Sequence, residues 1–514
     1  MDTFGPLDPL TSEKDPILDA AKAFFGIPYL FPYQRLAVHN ILCACGFQGL
    51  REEEDAPGGQ IVILPTGGGK SLCFQLPAAL LPGLTVVVYP LLSLMADQER
   101  RLLNAGLACR VLRGGQSREE RESLFREAAE GRLRVLLTNP ESLAAEGSRR
   151  RLAELEITHF VIDEAHCVSE WGETFRPAYL SLGETIRALG PRVVTAFTAT
   201  ASPAVLDRVI HHLFPEESPN LVSADPDRPN IRYSVLPVLA KDAALAALLG
   251  RGEGGVKRPA VVFCRSRSGA ELTAAGLRLR LGEKEIYFYH AGLEKEEKKK
   301  IENIFFRSSA GILAATCAYG LGIDKADIRT VIHRDVPGSV EAYLQESGRG
   351  GRDGAPAEAV LLWSSEDLAR LDQSGSPGAR ARFAAMLDCL PPGGCRRSRL
   401  LALLGRDPPN CSGCDICDGA AVLQAPGEAE TVDFISRNRR RFTGEEAALA
   451  LSGLRDFRTI TRELQGLRGF GALRGFDEKD AAEALGELVR RGRIRRLRRF
   501  PWKGRLTLSG EGPP

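Results

Sequence analysis

Two short segments carry the residue types that bind and hydrolyse a nucleoside triphosphate when they lie together. The first is Gly-rich and ends in a lysine and a serine: Thr66, Gly67, Gly68, Gly69, Lys70 and Ser71. In such a phosphate loop, backbone N–H groups surround the phosphates, the lysine contacts the β and γ oxygens, and the hydroxyl binds Mg²⁺. The second segment places Asp163 and Glu164 directly after the apolar run 160–162. We expect Asp163 to bind Mg²⁺ and Glu164 to orient or deprotonate the attacking water.

The phosphate loop departs from the usual pattern at one position. Leu64 stands where G-x-x-x-x-G-K-S has its first glycine, so the loop alone is also compatible with a plain turn before a helix. Because a second strand ends in two carboxylates, a site for ATP and Mg²⁺ is the favoured interpretation.

A further Gly-rich segment, residues 345–354, offers positive charge for catalysis. It begins at Gln345 and contains Arg349 and Arg352, and we place all three residues in the catalytic set. An arginine that reaches the γ-phosphate increases the rate of related NTPases by about 10³- to 10⁵-fold. The alternative is that both arginines are ordinary exposed turn residues. If they act on ATP held by another lobe, hydrolysis requires the two lobes to close, which couples turnover to motion.

Four cysteines have the spacing of a structural zinc site. Cys411, Cys414 and Cys417 lie three residues apart, and Cys395 precedes them by sixteen residues. Four thiolates complete the tetrahedral shell of Zn²⁺ and leave no open position for catalysis. An iron–sulfur cluster is the alternative. The other eight cysteines are scattered through apolar or motif segments, which indicates reduced thiols rather than a disulfide framework.

The elements that must position these residues form two α/β lobes. Between residues 60 and 220, five short β-branched runs alternate with helical stretches, and five more such runs occur between residues 259 and 363. This alternation predicts parallel sheets with crossover helices. Lys70 and Asp163 both follow strands, at the edge where such sheets bind ligands.

A chain of 514 residues has room for about three domains. We expect a helical N-terminal region, two lobes, a zinc-binding module and a basic C-terminal domain, at residues 1–50, 51–225, 226–374, 375–420 and 431–514. No run of about 18 apolar residues and no signal peptide is evident, so we expect a soluble, cytoplasmic protein without membrane contact, nucleoid-associated if bacterial. The sequence does not identify protein partners.

Positive charge is concentrated in the C-terminal region. Residues 431–514 hold 19 Lys and Arg against 11 Asp and Glu, whereas the whole chain has a net charge of only +2. A helix at residues 477–491 followed by a hairpin at 493–508 predicts a winged-helix fold. Arg495 and Arg498 would contact DNA phosphates, and Trp502 would abut the last base pair of a duplex. The alternative is a basic but passive wing.

The order of the motifs resembles that of the RecQ-family DNA helicases of helicase superfamily 2. The resemblance runs from about Phe25 to Gly419 and includes the segments at 65–71, 89–98, 163–172, 197–201, 289–293, 315–325 and 345–354. It implies an α/β fold with two tandem RecA-like lobes, then a helical zinc module. It also implies ATP- and Mg²⁺-dependent unwinding with 3′ to 5′ movement on single-stranded DNA, action on branched DNA, and a role in DNA repair and recombination.

The resemblance assigns further roles to individual residues. Trp171, Phe175 and Arg176 resemble an aromatic-rich loop that links DNA binding to hydrolysis. Gln34 matches the glutamine that contacts the adenine base. Phe31 stands where the family usually has an arginine, which predicts that an aromatic stack replaces a cationic contact.

The resemblance also implies a relay of polar residues that connects the ATP site to the face that binds the DNA strand. His166, Thr198 and Thr200 resemble the family residues that form it. Two other functions remain open at this point: an RNA helicase of the same superfamily, and a DNA-binding or annealing protein whose ATP site is regulatory.

Overall fold

The computed structural model describes residues 15–47, 58–65, 67–170, 177–252, 255–316, 325–373, 376–406 and 410–509. The chain divides into two compact units, Met1–Pro226 and Asp227–Pro514.

The first unit is built on a parallel sheet. Its strands are β1 Gly59–Ile63, β2 Leu84–Val88, β3 Cys109–Leu112, β4 Val135–Thr138, β5 Ile157–Ile162, β6 Val193–Thr198 and β7 Asn220–Ser223. Its helices are α1 Pro16–Phe25, α2 Pro32–Ala44, α3 Lys70–Leu80, α4 Leu92–Asn104, α5 Arg118–Ala129, α6 Pro140–Ala144, α7 Glu146–Leu152, α8 Cys167–Glu170, α9 Leu182–Leu189 and α10 Pro203–Leu213. The strand order is β3-β4-β2-β5-β6-β1-β7, and every pairing is parallel.

The central strands of this sheet are buried on both faces. Successive residues of β1 pack into different apolar clusters, Ile61 into one and Val62 into the other, and Phe160 and Val161 of β5 divide in the same way. Such strands are continuous apolar runs in the sequence, and for this reason they were predictable. The two strands that the sequence did not reveal, β3 and β7, are short edge strands with exposed residues.

The second unit contains another parallel sheet. Its strands are β8 Ile231–Pro237, β9 Ala260–Phe263, β10 Ile286–Tyr289, β11 Ile312–Ala315, β12 Thr330–His333 and β13 Ala357–Trp363, in the order β10-β11-β9-β12-β13-β8. The helices that accompany it are α11 Lys241–Leu249, α12 Arg267–Leu281, α13 Lys295–Arg307, α14 Val340–Ser347 and α15 Ser365–Ala369. The two parallel-sheet lobes confirm the α/β fold prediction.

The rest of the second unit is mainly helical. It comprises α16 Pro377–Asp388, α17 Arg396–Leu403, α18 Glu428–Arg437, α19 Gly444–Ser452, α20 Phe457–Thr461 and α21 Glu478–Arg490, then the antiparallel strands β14 Ile494–Arg496 and β15 Leu506–Leu508. The helices α18, α19 and α21 share an apolar core with this hairpin, to which Phe434, Leu485 and Ile494 contribute. Helices followed by a hairpin are what the sequence led us to expect, and the winged-helix assignment itself stays a prediction.

Candidate active site and metal centre

The phosphate loop lies between β1 and α3. Lys70 is the first residue of α3, so the loop precedes a helix N-terminus, where free N–H groups favour an anion. Gly69 has a φ of 74°, and a Cβ atom there would lie 2.3 Å from Nε2 of Gln34. The left-handed φ favours glycine at this position, and a Cβ atom would displace the Gln34 amide. Thr66 lies outside the described residues.

Lys70 meets a carboxylate from the end of β5. Its Nζ lies 2.9 Å from Oε1 of Glu164, and both side chains are largely buried. Glu164 has a φ of 52°, a left-handed conformation that strains a residue with a Cβ. The backbone N–H of Glu164 donates to Oδ1 of Asp163 at 3.0 Å. The structure therefore brings Lys70, Asp163 and Glu164 together at the carboxyl edge of the sheet.

The electrostatics of this group favour a divalent cation. Burial, followed by repulsion from the Glu164 carboxylate, raises the pKa of Asp163 to about 6, although Lys70 opposes the shift. A positive ion beside Asp163 would stabilise its ionised form. Carboxylate and hydroxyl oxygens are the ligands that Mg²⁺ prefers, and Asp163 and Ser71 supply one of each. Oγ of Ser71 accepts a hydrogen bond from Gln98 at 3.4 Å.

A chain of polar contacts leads away from Glu164. Nδ1 of His166 lies 3.4 Å from Oε2 of Glu164 and 3.0 Å from Oγ1 of Thr198. Thr198 donates its hydroxyl hydrogen to the carbonyl of Thr200 at 3.0 Å. All four residues are buried. The structure thus connects the three residues of the implied relay to the proposed catalytic carboxylate.

Gln34 connects the segment around Phe31 to the phosphate loop. Its Oε1 accepts from the N–H of Phe31 at 2.9 Å, and its Nε2 donates to the carbonyl of Gly68 at 3.2 Å. The rings of Phe31 and Tyr33 are nearly parallel, with centroids 5.4 Å apart, and Tyr29 meets Phe31 edge-on. Phe31 is 50% exposed, so its ring is available to an added base.

The arginine-bearing turn belongs to the second unit. Gln345 lies near the end of α14, Arg349 is buried in the turn that follows, and Arg352 is half-buried. Arg228 and Asn230, just before β8, bind the backbone of this turn. Sequence reasoning missed these two residues because it treated their segment only as the break between lobes.

The four cysteines converge as predicted. Their sulfur atoms all lie within 4.8 Å of one another, and those of Cys395 and Cys414 are 4.0 Å apart. Tetrahedral Zn²⁺ with Zn–S bonds of about 2.3 Å separates its sulfurs by about 3.8 Å. Backbone N–H groups of Ser398 and Cys417 point to the sulfurs of Cys395 and Cys414, as expected around thiolates. The donor set fits structural zinc.

The DNA-contacting predictions fall in two places. Trp171, Phe175 and Arg176 lie outside the described residues. In the C-terminal hairpin, Arg495 lies on β14, Arg498 and Trp502 lie in the turn, and the guanidinium of Arg440 lies 5.0 Å from the Trp502 ring centroid. The Arg440 contact places one cation over this aromatic side chain.

Within the described ranges, no helix has both the length and the apolar character that a membrane crossing requires.

Comparisons with known proteins agree with this geometry. Residues 31–209 match the family model of DEAD/DEAH box helicases, and residues 240–354 match that of the helicase conserved C-terminal domain. The ATP-dependent DNA helicase RecQ of Pasteurella multocida is 31% identical over 486 residues, covering 91% of this chain and 76% of the relative. The RecQ of Bacillus subtilis is 31% identical over 484 residues, covering 90% and 80%.

Among solved structures, the fold is similar to that of the DUF1998 helicase MrfA bound to DNA. The TM-score is 0.56 at 16% identity, covering 98% of this chain and 64% of that one. Because the identity is low, this likeness supports the fold alone. The extent of the RecQ matches is the stronger finding, and the chain belongs to the RecQ family of ATP-dependent DNA helicases.

Proposed function

We propose that this chain moves 3′ to 5′ along single-stranded DNA, driven by hydrolysis of Mg²⁺-bound ATP. We also propose that it unwinds duplex and branched DNA in repair and recombination. The observation that carries the proposal is the 2.9 Å contact between Lys70 and Glu164, beside Asp163. It shows that the phosphate loop and the two carboxylates lie side by side, so ATP held by the loop would lie next to the residues proposed to bind Mg²⁺ and to act on the attacking water. The relatives' names, ATP-dependent DNA helicase RecQ, support DNA as the substrate.

ATP binding would change the partner of Lys70. In the structure the Lys70 ammonium neutralises Glu164. The β and γ phosphates carry more negative charge than one carboxylate and lie where N–H groups also point, so they compete for the ammonium. Glu164 is then released to accept a proton from water or to orient it. Mg²⁺, held by Ser71 and Asp163, would neutralise charge on the phosphate oxygens.

The remaining catalytic charge would come from the second unit. Arg349 and Arg352 are the proposed ligands of the γ-phosphate, and Gln345 belongs to the same segment. Because these residues are in a different lobe from Lys70, ATP would favour one arrangement of the lobes and ADP another. Alternation between the two is how hydrolysis would produce movement.

The proposed DNA contacts form two groups, one for the single strand and one for the duplex. Trp171, Phe175 and Arg176 would bind the translocated strand near Asp163, so that DNA stimulates hydrolysis. Arg495, Arg498 and Trp502 would bind the duplex ahead of it. Zn²⁺ bound by the four cysteines would supply structural stability. No catalytic step is assigned to it.

Strand polarity and nucleic acid type test this proposal together. The experiment measures unwinding with ATP and Mg²⁺ on a set of substrates of equal duplex length. These are DNA with a 3′ tail, a 5′ tail, a fork or a four-way junction, and an RNA duplex with a 3′ tail. We expect unwinding of the 3′-tailed, forked and branched DNA only. Preference for the 5′ tail would overturn the polarity, and preference for RNA would favour an RNA helicase.

A further inference from the structure

One arginine outside the proposed catalytic set holds the backbone of the arginine-bearing turn. Nη1 of Arg228 donates to the carbonyl of Gly348 at 3.0 Å, and Nη2 donates to the carbonyls of Gly350 and Gly351 at 3.2 and 2.9 Å. A planar guanidinium can reach three carbonyls at once because its N–H groups form a rigid fork. These carbonyls flank Arg349 and directly precede Arg352.

Asn230 also binds the backbone of the arginine-bearing turn. Nδ2 of Asn230 donates to the carbonyls of Gly351 and Ala355 at 2.8 and 2.9 Å. Gly351 has a φ of 55°, and a Cβ atom there would lie 2.5 Å from Nδ2 of Asn230. The contact therefore depends on a glycine that also supplies the left-handed conformation. Two side chains from one segment together fix the path of the turn.

That segment is in turn held by the helix of the zinc module. Arg397, on α17 two residues after Cys395, is 1% exposed in its side chain. Its guanidinium contacts the Asp227 carboxylate, donates to the carbonyl of Arg228 at 3.2 Å, and lies 5.0 Å from the Tyr233 ring centroid. Hydrogen bonds therefore run without a gap from the zinc module through the segment 227–231 to the arginine-bearing turn.

We propose that Arg228 and Asn230 are positioning residues for Arg349 and Arg352, and that Arg397 anchors them to the zinc module. The inference rests on the proposed function, because it requires the two turn arginines to act on ATP. Catalysis by a charge in a water-excluded site depends on placement, and a shift of about 1 Å can lower a rate by about 10²-fold. Arg228 would then affect turnover without touching nucleotide or DNA.

The chain provides a matched control for Arg228. Arg232 lies four residues later on β8, and its Nε donates to Asp418 of the zinc module at 2.7 Å. In the described part of the chain, no hydrogen bond joins Arg232 to the arginine-bearing turn. Like Arg228→Ala, Arg232→Ala removes an arginine. It also removes a contact with the zinc module, but it leaves the hydrogen bonds of the arginine-bearing turn intact.

The test compares four full-length variants: Arg228→Ala, Arg232→Ala, Arg352→Ala and the double variant Arg228→Ala/Arg352→Ala. For each, the affinities for ATP and single-stranded DNA and the kcat of DNA-stimulated hydrolysis are measured. We expect Arg228→Ala to lower kcat by about 10-fold or more, with both affinities within about twofold of wild type. Arg232→Ala should keep kcat near wild type. The double variant should be slower than Arg352→Ala by less than the factor that Arg228→Ala causes alone, because part of that factor acts through Arg352.

Different outcomes separate the inference from the proposed function. A wild-type kcat for Arg352→Ala would remove the catalytic role proposed for that arginine. A slow Arg352→Ala beside a normal Arg228→Ala would overturn only the positioning role, as would effects that multiply in the double variant. If Arg228→Ala does not fold, Asn230→Ala replaces it in the same set, with the same expectations. Arg228→Lys should restore part of the lost kcat, since an ammonium still reaches one of the carbonyls.

Discussion

At the scale of single residues, Glu164 combines two side-chain contacts with an unusual backbone conformation. One oxygen pairs with Lys70 at 2.9 Å, the other lies 3.4 Å from His166, and the backbone is held in a left-handed conformation. Strain of this kind persists only where surrounding contacts impose it. Glu164, the residue that we propose acts on the attacking water, is held by contacts with Lys70 and Asp163.

Phe31 gives a residue-scale prediction about nucleotide affinity. Its exposed ring lies parallel to Tyr33, next to Gln34. Stacking of a base on an aromatic ring contributes about 1 to 3 kcal/mol. We expect Phe31→Ala to raise the KM for ATP by about 5-fold or more and to leave kcat unchanged, because stacking is equal in the ground and transition states. The measurement is steady-state ATPase, with Phe24→Ala as an exposed control. An unchanged KM would contradict the stacking role.

His159 gives a prediction about pH. It is buried within β5, where Nε2 lies 2.9 Å from Oγ1 of Thr195, and burial lowers its pKa to about 3. The unfolded chain, with a histidine pKa of about 6.5, takes up the proton first, so the stabilisation is full above that pH and is lost progressively toward pH 3. Between pH 6.5 and 5, this one group should lower the free energy of unfolding by about 2 kcal/mol.

The matched experiment compares the wild type with His159→Leu in denaturant at pH 7 and pH 5. Asp163 titrates in the same range with the opposite sign, because its pKa is raised, and the difference between the two proteins cancels its contribution. We expect the variant to lose less stability on acidification than the wild type. Equal losses would show that His159 is not the titrating group.

At the scale of elements, the strands that carry chemistry were the predictable ones. The runs that became β1, β2, β5 and β6 are apolar on both faces, and the motif residues follow them directly. Edge strands give weaker patterns, because β3 and β7 contain exposed residues and the residues of β8 alternate between buried and half-buried. These three strands were therefore missed. The roles of Arg228 and Asn230 could not be predicted from the sequence. Their partners are backbone carbonyls, which every residue has, so no residue type in the turn indicates the contact.

The zinc module gives a prediction at this scale. Cys417→Ser should abolish stoichiometric zinc binding and unfold the segment around α17, since structural zinc contributes about 10 kcal/mol or more of folding free energy. Zinc content and limited proteolysis measure this result. Cys389→Ser is the control, because Cys389 is buried among apolar side chains outside the cluster. Full zinc content in Cys417→Ser would show that the sulfur is not a ligand.

At the scale of the whole molecule, the chain carries a nucleotide site at the first sheet and a basic hairpin near its C-terminus. Within the second unit, α21 is fixed to the lobe by Arg280, which binds Asp477 and Asp480, and by Glu487, which accepts from the N–H of Ser365 at 2.7 Å. The hairpin follows α21 directly. Removing the C-terminal domain would therefore expose lobe surface, and substitutions in the hairpin test its proposed DNA contacts more cleanly than truncation.

The central claim is that ATP hydrolysis at Glu164 drives the separation of DNA strands. Glu164→Gln tests it most directly, because the amide keeps the size of the side chain but cannot act as a base. ATP binding, single-turnover hydrolysis with and without single-stranded DNA, and unwinding of a 3′-tailed duplex would be measured on one preparation. We predict that ATP binding persists, that hydrolysis falls by about 10²-fold or more, and that unwinding falls with it. Wild-type unwinding by Glu164→Gln would contradict the account.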